Sequence, residues 1–140
     1  MKRMIMNRFA LDTNILIYSH EKTDIRKQNI SRTLLDMSPV ISTQVVSEYI
    51  NVLRRKITIP KDELIDLCIG NLDDCIIHQV NIYTLRKAKY IIQKYSLQIF
   101  DSIIVASAIE ANCDILYSED KDMYHSLLID GRLKILNPFL

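Results

Sequence analysis

The stretch from Ile99 to Asp122 constrains the fold more than any other, because it reads as helix, turn and strand in immediate succession. Asp101 and Ser102 sit where a helix is expected to start, and Ile103, Ile104, Ala106, Ala108 and Ile109 follow at helical spacing. Ala-Asn-Cys-Asp at 111–114 reads as stop and turn, and Ile115 to Ser118 has the length of a buried strand. A helix of about ten residues climbs ~15 Å, and a strand of about five returns ~16 Å. The chain therefore comes back to the level at which the helix began, which brings Asp120, with Glu119 and Asp122 beside it, near Asp101. Carboxylates that repel one another need a reason to be brought together, and a bound divalent cation is the usual one.

The same alternation runs through the rest of the chain. Phe9 to Leu11 reads as a strand ending at Asp12, followed by a short helix from Asn14. Asp24 to Met37 reads as a helix with Ile25, Ile30, Leu34 and Leu35 on its apolar face, stopped by Ser38-Pro39. After a strand at Val40-Ile-Ser, Ser42 or Thr43 caps a helix that turns Val45, Val46, Tyr49, Val52 and Leu53 inward and closes on Arg54-Arg55-Lys56. Pro60 opens a helix from Lys61 to Asn71 with Leu64, Ile65, Leu67 and Cys68 buried. Ile76 to Val80 is a strand. Asn81 or Thr84 caps a helix to Tyr95 with Leu85, Ala88, Ile91 and Ile92 inward. Met123 to Leu128 reads as a helical turn ended by Gly131, and Leu133 to Leu136 as a last strand.

This pattern predicts an α/β fold with a parallel sheet covered on both faces. Ligands of such sheets bind outside the carboxyl ends of the strands. Asp12 ends the first strand, Glu48 follows the second by about one and a half helical turns, Asp120 follows the fourth, and Asp101 heads the helix that feeds it. Topology alone sends all four acids to one edge.

At 140 residues the chain is expected to form one domain spanning 1–140, with a core of its own. A net charge of +1 gives no overall field that would advertise nucleic acid or membrane. Cys68, Cys75 and Cys113 form no CxxC pair and read as core thiols of a reducing, cytoplasmic compartment. No apolar run is long enough to span a membrane, and the basic, apolar Met1 to Met6 is too short for a signal peptide.

Taken singly, each acid has an ordinary explanation. Asp101 suits an N-cap, Glu48 an exposed helix position, and Asp120 and Asp122 a turn. Asp12 fits such a role least, because it stands at the end of a buried strand. Together they are costly: two carboxylates ~5 Å apart repel by about 3 kcal/mol at an effective dielectric of 20. Oxygen-only ligands suit Mg²⁺ or Mn²⁺, which activate water and neutralise phosphate. His20, His78 and His125 share no motif, and there is no HExxH, phosphate-binding glycine loop or GxSxG elbow. Arg54, Arg55 and Lys56, and Arg86, Lys87, Lys89 and Lys94 with Tyr90 and Tyr95, are candidates for gripping phosphates or stacking bases, or are simply solvated helix faces.

Four segments in this order resemble a PIN-domain ribonuclease, and most closely the VapC-type toxins of bacterial and archaeal toxin–antitoxin pairs. They are Phe9-Ala-Leu-Asp-Thr-Asn-Ile15, Ser42-Thr-Gln-Val-Val-Ser-Glu48, Phe100-Asp-Ser-Ile-Ile-Val-Ala-Ser-Ala108 and Leu116-Tyr-Ser-Glu-Asp-Lys-Asp122, followed by Asn137-Pro-Phe139. The resemblance implies a three-layer α/β/α fold with a central parallel sheet of about five strands, and an endoribonuclease that uses Mg²⁺ or Mn²⁺. Asp12, Glu48, Asp101 and Asp120 match the acidic quartet of that family, and Asp122 a further acid. Asn14, Ser102 and Ser118 match polar positions that orient the ligands or the scissile phosphate. Met123 replaces the usual Phe or Leu, and the Asp-Gly pair comes late, at Asp130-Gly131. The implied partners are RNA, an antitoxin whose segment blocks the acidic pocket, and a second copy of the chain in a homodimer. Ile15, Leu16, Ile17, Leu34 and Leu35 are the apolar residues of the region the antitoxin would use. Competing readings are an RNA-processing nuclease outside any toxin pair, a non-catalytic PIN-like binding module, and a metal phosphatase acting on small molecules.

Overall fold

The computed structural model describes residues 7–123 and 128–140. Its elements run β1 (Phe9–Leu11), α1 (Thr13–Tyr18), α2 (Ile25–Leu35), β2 (Val40–Ser42), α3 (Thr43–Lys56), α4 (Lys61–Leu72), β3 (Ile76–His78), α5 (Ile82–Tyr95), α6 (Ile99–Glu110), β4 (Ile115–Tyr117), β5 (Leu128–Ile129) and β6 (Leu133–Leu136). They form one sheet in the order β3-β2-β1-β4-β6-β5. The first five strands of that order are parallel, and β5 runs antiparallel to β6. The sheet thus has six strands among the described residues, one more than the sequence suggests. The extra one is only two residues long and reverses direction through the turn at Asp130 and Gly131, both at positive φ. Leu128, expected to end a helical turn, belongs to this strand; the rest of that turn at 124–127 and the segment 1–6 lie outside the described residues.

Helices α1 to α4 pack on one another and α5 packs on α6, with the sheet between the two groups. The core is the set of fully covered aliphatics on and beside the central strands: Leu11, Ile15, Leu16, Ile41, Leu116, Leu133 and Ile135. Central parallel strands covered on both faces read as continuous apolar runs, as β1 does with all three residues buried. β3 lies at the sheet edge, and its Ile76 and Ile77 are exposed.

Expected helix faces are met in part. Val45, Tyr49 and Leu53 are buried along α3, and Thr84, Ala88 and Ile91 along α5. Ile25, Ile65, Leu67 and Leu85, expected inward, are exposed. On α2 the covered face carries Gln28, Ser31 and Leu35 instead. Gln28 and Arg32 donate to the Ser19 carbonyl, so hydrogen bonding replaces apolar burial along that seam. Ile15, Leu16 and Leu35 are core residues, which removes them from the apolar surface expected to meet a partner. Among the described residues, no helix is long and apolar enough to cross a membrane.

Candidate active site

The carboxyl ends of β1, β2 and β4 open onto a hollow of ≈ 590 Å³ whose walls include Asp12, Glu48, Asp101 and Asp120. Each acid reaches it by a different local route. Asp12 directly follows β1 and is the N-cap of α1, accepting from the Thr13 backbone N–H at 2.7 Å. Glu48 lies in the second turn of α3, which begins at the end of β2. Asp120 is in the loop after β4.

Asp101 departs from the sequence reading in an instructive way. The N-cap of α6 is Gln98, which makes no capping bond with its side chain, and Asp101 is the third residue of the helix. It gains from the helix dipole there without spending its carboxylate on a cap, and that carboxylate faces the hollow.

The electrostatics follow from this crowding. Burial raises the Asp101 pKa from 3.8 to about 6, and the charges of Asp120, Asp12, Glu48 and Asp122 push it the same way. Asp12 is also raised, first by burial and then by Glu48 and Asp120, against the bonds from Ser118 and Thr13 that favour its charge. Asp122 is exposed; it reaches the group through the field and by donating its backbone N–H to Asp120 Oδ1 at 2.9 Å. Among the described residues no three His, Cys, Asp or Glu side chains form a closed metal-binding group. The acids stand round an open hollow, near enough for their charges to add to burial in raising the pKa of Asp12 and Asp101.

Neutral groups fix the acids in place. Ser118 donates its hydroxyl to Asp12 Oδ2 at 2.7 Å and accepts the Asp120 backbone N–H at 3.0 Å, so one buried oxygen ties the loop after β4 to the end of β1. Asn14 strengthens that tie, donating to Asp12 Oδ2 at 3.5 Å and accepting the Glu119 N–H at 3.3 Å. Ser102 turns away: its hydroxyl donates to the Gln98 carbonyl of its own helix. Glu119 is drawn off as well, since Tyr18 and Lys27 both donate to its carboxylate. Although burial works against it, Lys27 and Tyr18 hold Glu119 below the usual carboxylate range.

Two residues in the site escaped the sequence reading. Thr13 donates its hydroxyl to Glu48 Oε2 at 2.7 Å. Gln44 donates its amide N–H groups to Glu48 Oε1 at 2.9 Å and to the Phe100 carbonyl at 3.2 Å. Both partners of that NH₂ are acceptors, so the amide has only one workable orientation. This leaves Gln44 Oε1 buried without a donor, a cost of about 1–3 kcal/mol borne to link Glu48 with the residue before Asp101. The signal was present for Gln44, four residues before Glu48 on one helix face, but Thr13 meets Glu48 only through the fold.

The donor set fits a hard divalent cation. It offers carboxylate oxygens only, held by hydroxyl and amide donors, with two acids raised by their burial and mutual repulsion, which a positive charge would offset. The basic residues of α5 behave differently. Lys87 and Lys94 both pair with Asp130, which also accepts from Tyr90 and Tyr95. His78 pairs with Glu110, and neither lines the hollow.

The PIN domain family model matches residues 9–126. No curated protein matches the sequence. Among solved structures, a toxin–antitoxin complex from Klebsiella pneumoniae superposes with a TM-score of 0.67 at 21% identity, covering 94% of this chain and 97% of that one. VapC20 of Mycobacterium tuberculosis, described as a sarcin-ricin loop cleaving toxin, gives 0.63 at 16% identity over 81% of this chain and 91% of its own. FitAcB from Neisseria gonorrhoeae gives 0.62 at 12% identity, covering 94% and 98%. At these identities the likeness is one of fold.

Proposed function

The chain belongs to the PIN-domain family, and from that premise we propose that it is a Mg²⁺- or Mn²⁺-dependent endoribonuclease and the toxin of a toxin–antitoxin pair. The observation that carries this reading is the meeting of Asp12, Glu48, Asp101 and Asp120 in one hollow, with Asp101 pushed up to about 6 by its burial and its neighbours' charge. The structural neighbours, toxins and their complexes, support the toxin assignment.

A divalent ion bound there supplies Lewis acidity and an acidified water. Asp12, Asp101 and Asp120 are the residues proposed to hold it, with Glu48 sharing it or helping to hold a second, and Asp122 adding negative field. Ser118 and the Thr13 N–H keep Asp12 in one rotamer, which fixes the position of its free lone pairs. Thr13 and Gln44 do the same for Glu48, since both donate to its carboxylate. Such fixed anionic groups cost no reorganisation at the moment of reaction. Attack by water needs no 2′-hydroxyl, so the products carry a 5′ phosphate and a 3′ hydroxyl.

Sequencing the 5′ ends of RNA cut after brief expression tests the reading and identifies the target. Loss of cleavage in folded Asp12→Asn and Asp101→Asn proteins is the expected result. Ends bearing 2′,3′-cyclic phosphate, or undiminished cleavage by both variants, would refute it. The partners proposed are RNA, a cognate antitoxin and a second copy of the chain. Co-purification with the product of an adjacent gene, and a dimeric mass at micromolar concentration, are the corresponding outcomes.

A further inference from the structure

A second hollow of ≈ 490 Å³ adjoins the acid-lined one, and Ile17, Glu21 and Lys56 belong to the walls of both. The two are therefore one groove with chemically unlike ends. Around the second end stand His20, Lys22, Leu53 and Ile57. Its charge is basic in effect. Lys22 and Lys56 are exposed, and neither makes an ion pair among the described residues. The one acid there, Glu21, accepts from Thr23 through both N–H and hydroxyl at 3.2 and 2.7 Å and feels the charge of Lys56, so two lysines face one carboxylate and the hollow keeps a net positive charge. His20 contributes a wall rather than a charge: its Nε2 pairs with the Tyr49 hydroxyl, and its ring stacks on Tyr49. Ile17 and Ile57, each half-buried, supply an apolar surface.

Two lysines beside apolar walls, opening from a site for a scissile phosphate, are complementary to one nucleotide: phosphate on the ammonium groups, base on the aliphatic surface. We infer that the second hollow holds a nucleotide next to the cleaved bond, so that single-stranded RNA leaves the acid hollow across Lys56 toward Lys22. This rests on the nuclease reading above and assigns that site the course of its substrate. The rival basic surface on α5 is weaker. Its Lys87 and Lys94 are already paired with Asp130 and lie over the Tyr90 ring at 4.6 and 5.5 Å.

The test is binding of a short fluorescent oligouridylate by the full chain carrying Asp101→Asn, which leaves the strand uncut, over a series of salt concentrations. Every phosphate left without its lysine lowers the steepness of log K against log salt by about 0.7 for a single strand. Lys22→Ala with Lys56→Ala should reduce that slope by about 1.4 and weaken binding at least tenfold at low salt. Arg86→Ala with Lys89→Ala changes the net charge equally on exposed positions of α5 and should leave slope and affinity as they were. Equal losses in the two double variants, or an unchanged slope in the first, would overturn the inference. If the wild-type chain cuts RNA but the slopes behave so, only the course of the strand is wrong. If it neither cuts nor holds RNA, the nuclease reading falls and takes the inference with it.

Discussion

Replacing Asp101 by asparagine should make the metal-free protein more stable, in a way that depends on pH. The Asp101 pKa is raised from 3.8 to about 6 by burial and by Asp120, Asp12, Glu48 and Asp122. A group whose pKa is raised on folding binds its proton more tightly in the folded state. Its stabilisation is complete below the unfolded pKa and is lost as pH rises through the folded value. Two pKa units correspond to about 3 kcal/mol, and screening by water in the open hollow reduces this to about 1–2 kcal/mol. For a chain of this size that is a rise in Tm of about 3–8 °C. An asparagine side chain carries no charge at any of these pH values, so the gain should be full at pH 7.5 and fall to a small fraction near pH 4. Saturating Mn²⁺ should invert the order, because a ligand at a hundred times its Kd stabilises the wild type by about 2.7 kcal/mol and the variant far less. Differential scanning fluorimetry at both pH values, with EDTA and with Mn²⁺, measures all four quantities. A variant less stable than wild type at pH 7.5 in EDTA, or equally shifted at both pH values, would refute the reasoning.

Three further outcomes follow from the geometry. Gln44→Met removes the donor to Glu48 and the stranded amide oxygen together, so Mn²⁺ affinity by calorimetry should fall roughly 10–100-fold with Tm held or raised; unchanged affinity would contradict the positioning role. Ser118→Ala breaks the bonds to Asp12 and from the Asp120 N–H, and should cost about 1–3 kcal/mol in urea unfolding. Asp130, where burial is outweighed by Lys87, Lys94, Tyr95 and Tyr90, is held well below the usual carboxylate range. Its contribution is present at neutral pH and lost as pH falls below the ordinary value, so Asp130→Asn should lower Tm at pH 7 and lose most of that effect near pH 2.

The acids were legible in the sequence because a parallel sheet fixes where strands end. Asp12 after β1 and Asp120 after β4 needed only the strand boundaries, and Asp101 needed only that helix α6 and strand β4 have matching lengths. The start of α6 was misplaced by three residues because Asp-Ser looks like a cap, whereas Gln98 caps without its side chain. Burial on α4 was misjudged for a different reason. Periodicity marks a helix, but where apolar residues lie all round it, as Ile65, Leu67 and Ile69 do, only packing decides which are covered. Contacts such as Thr13 with Glu48, Lys27 with Glu119, and Lys94 with Asp130 join residues far apart in the chain, and no local spacing encodes them.

The central claim is that the four acids cage a hard divalent ion. Anomalous scattering from a crystal soaked in Mn²⁺ tests it most directly. A manganese peak bonded to oxygens of Asp12, Asp101 and Asp120 is the predicted result, and a fully soaked crystal whose hollow shows no manganese would contradict it.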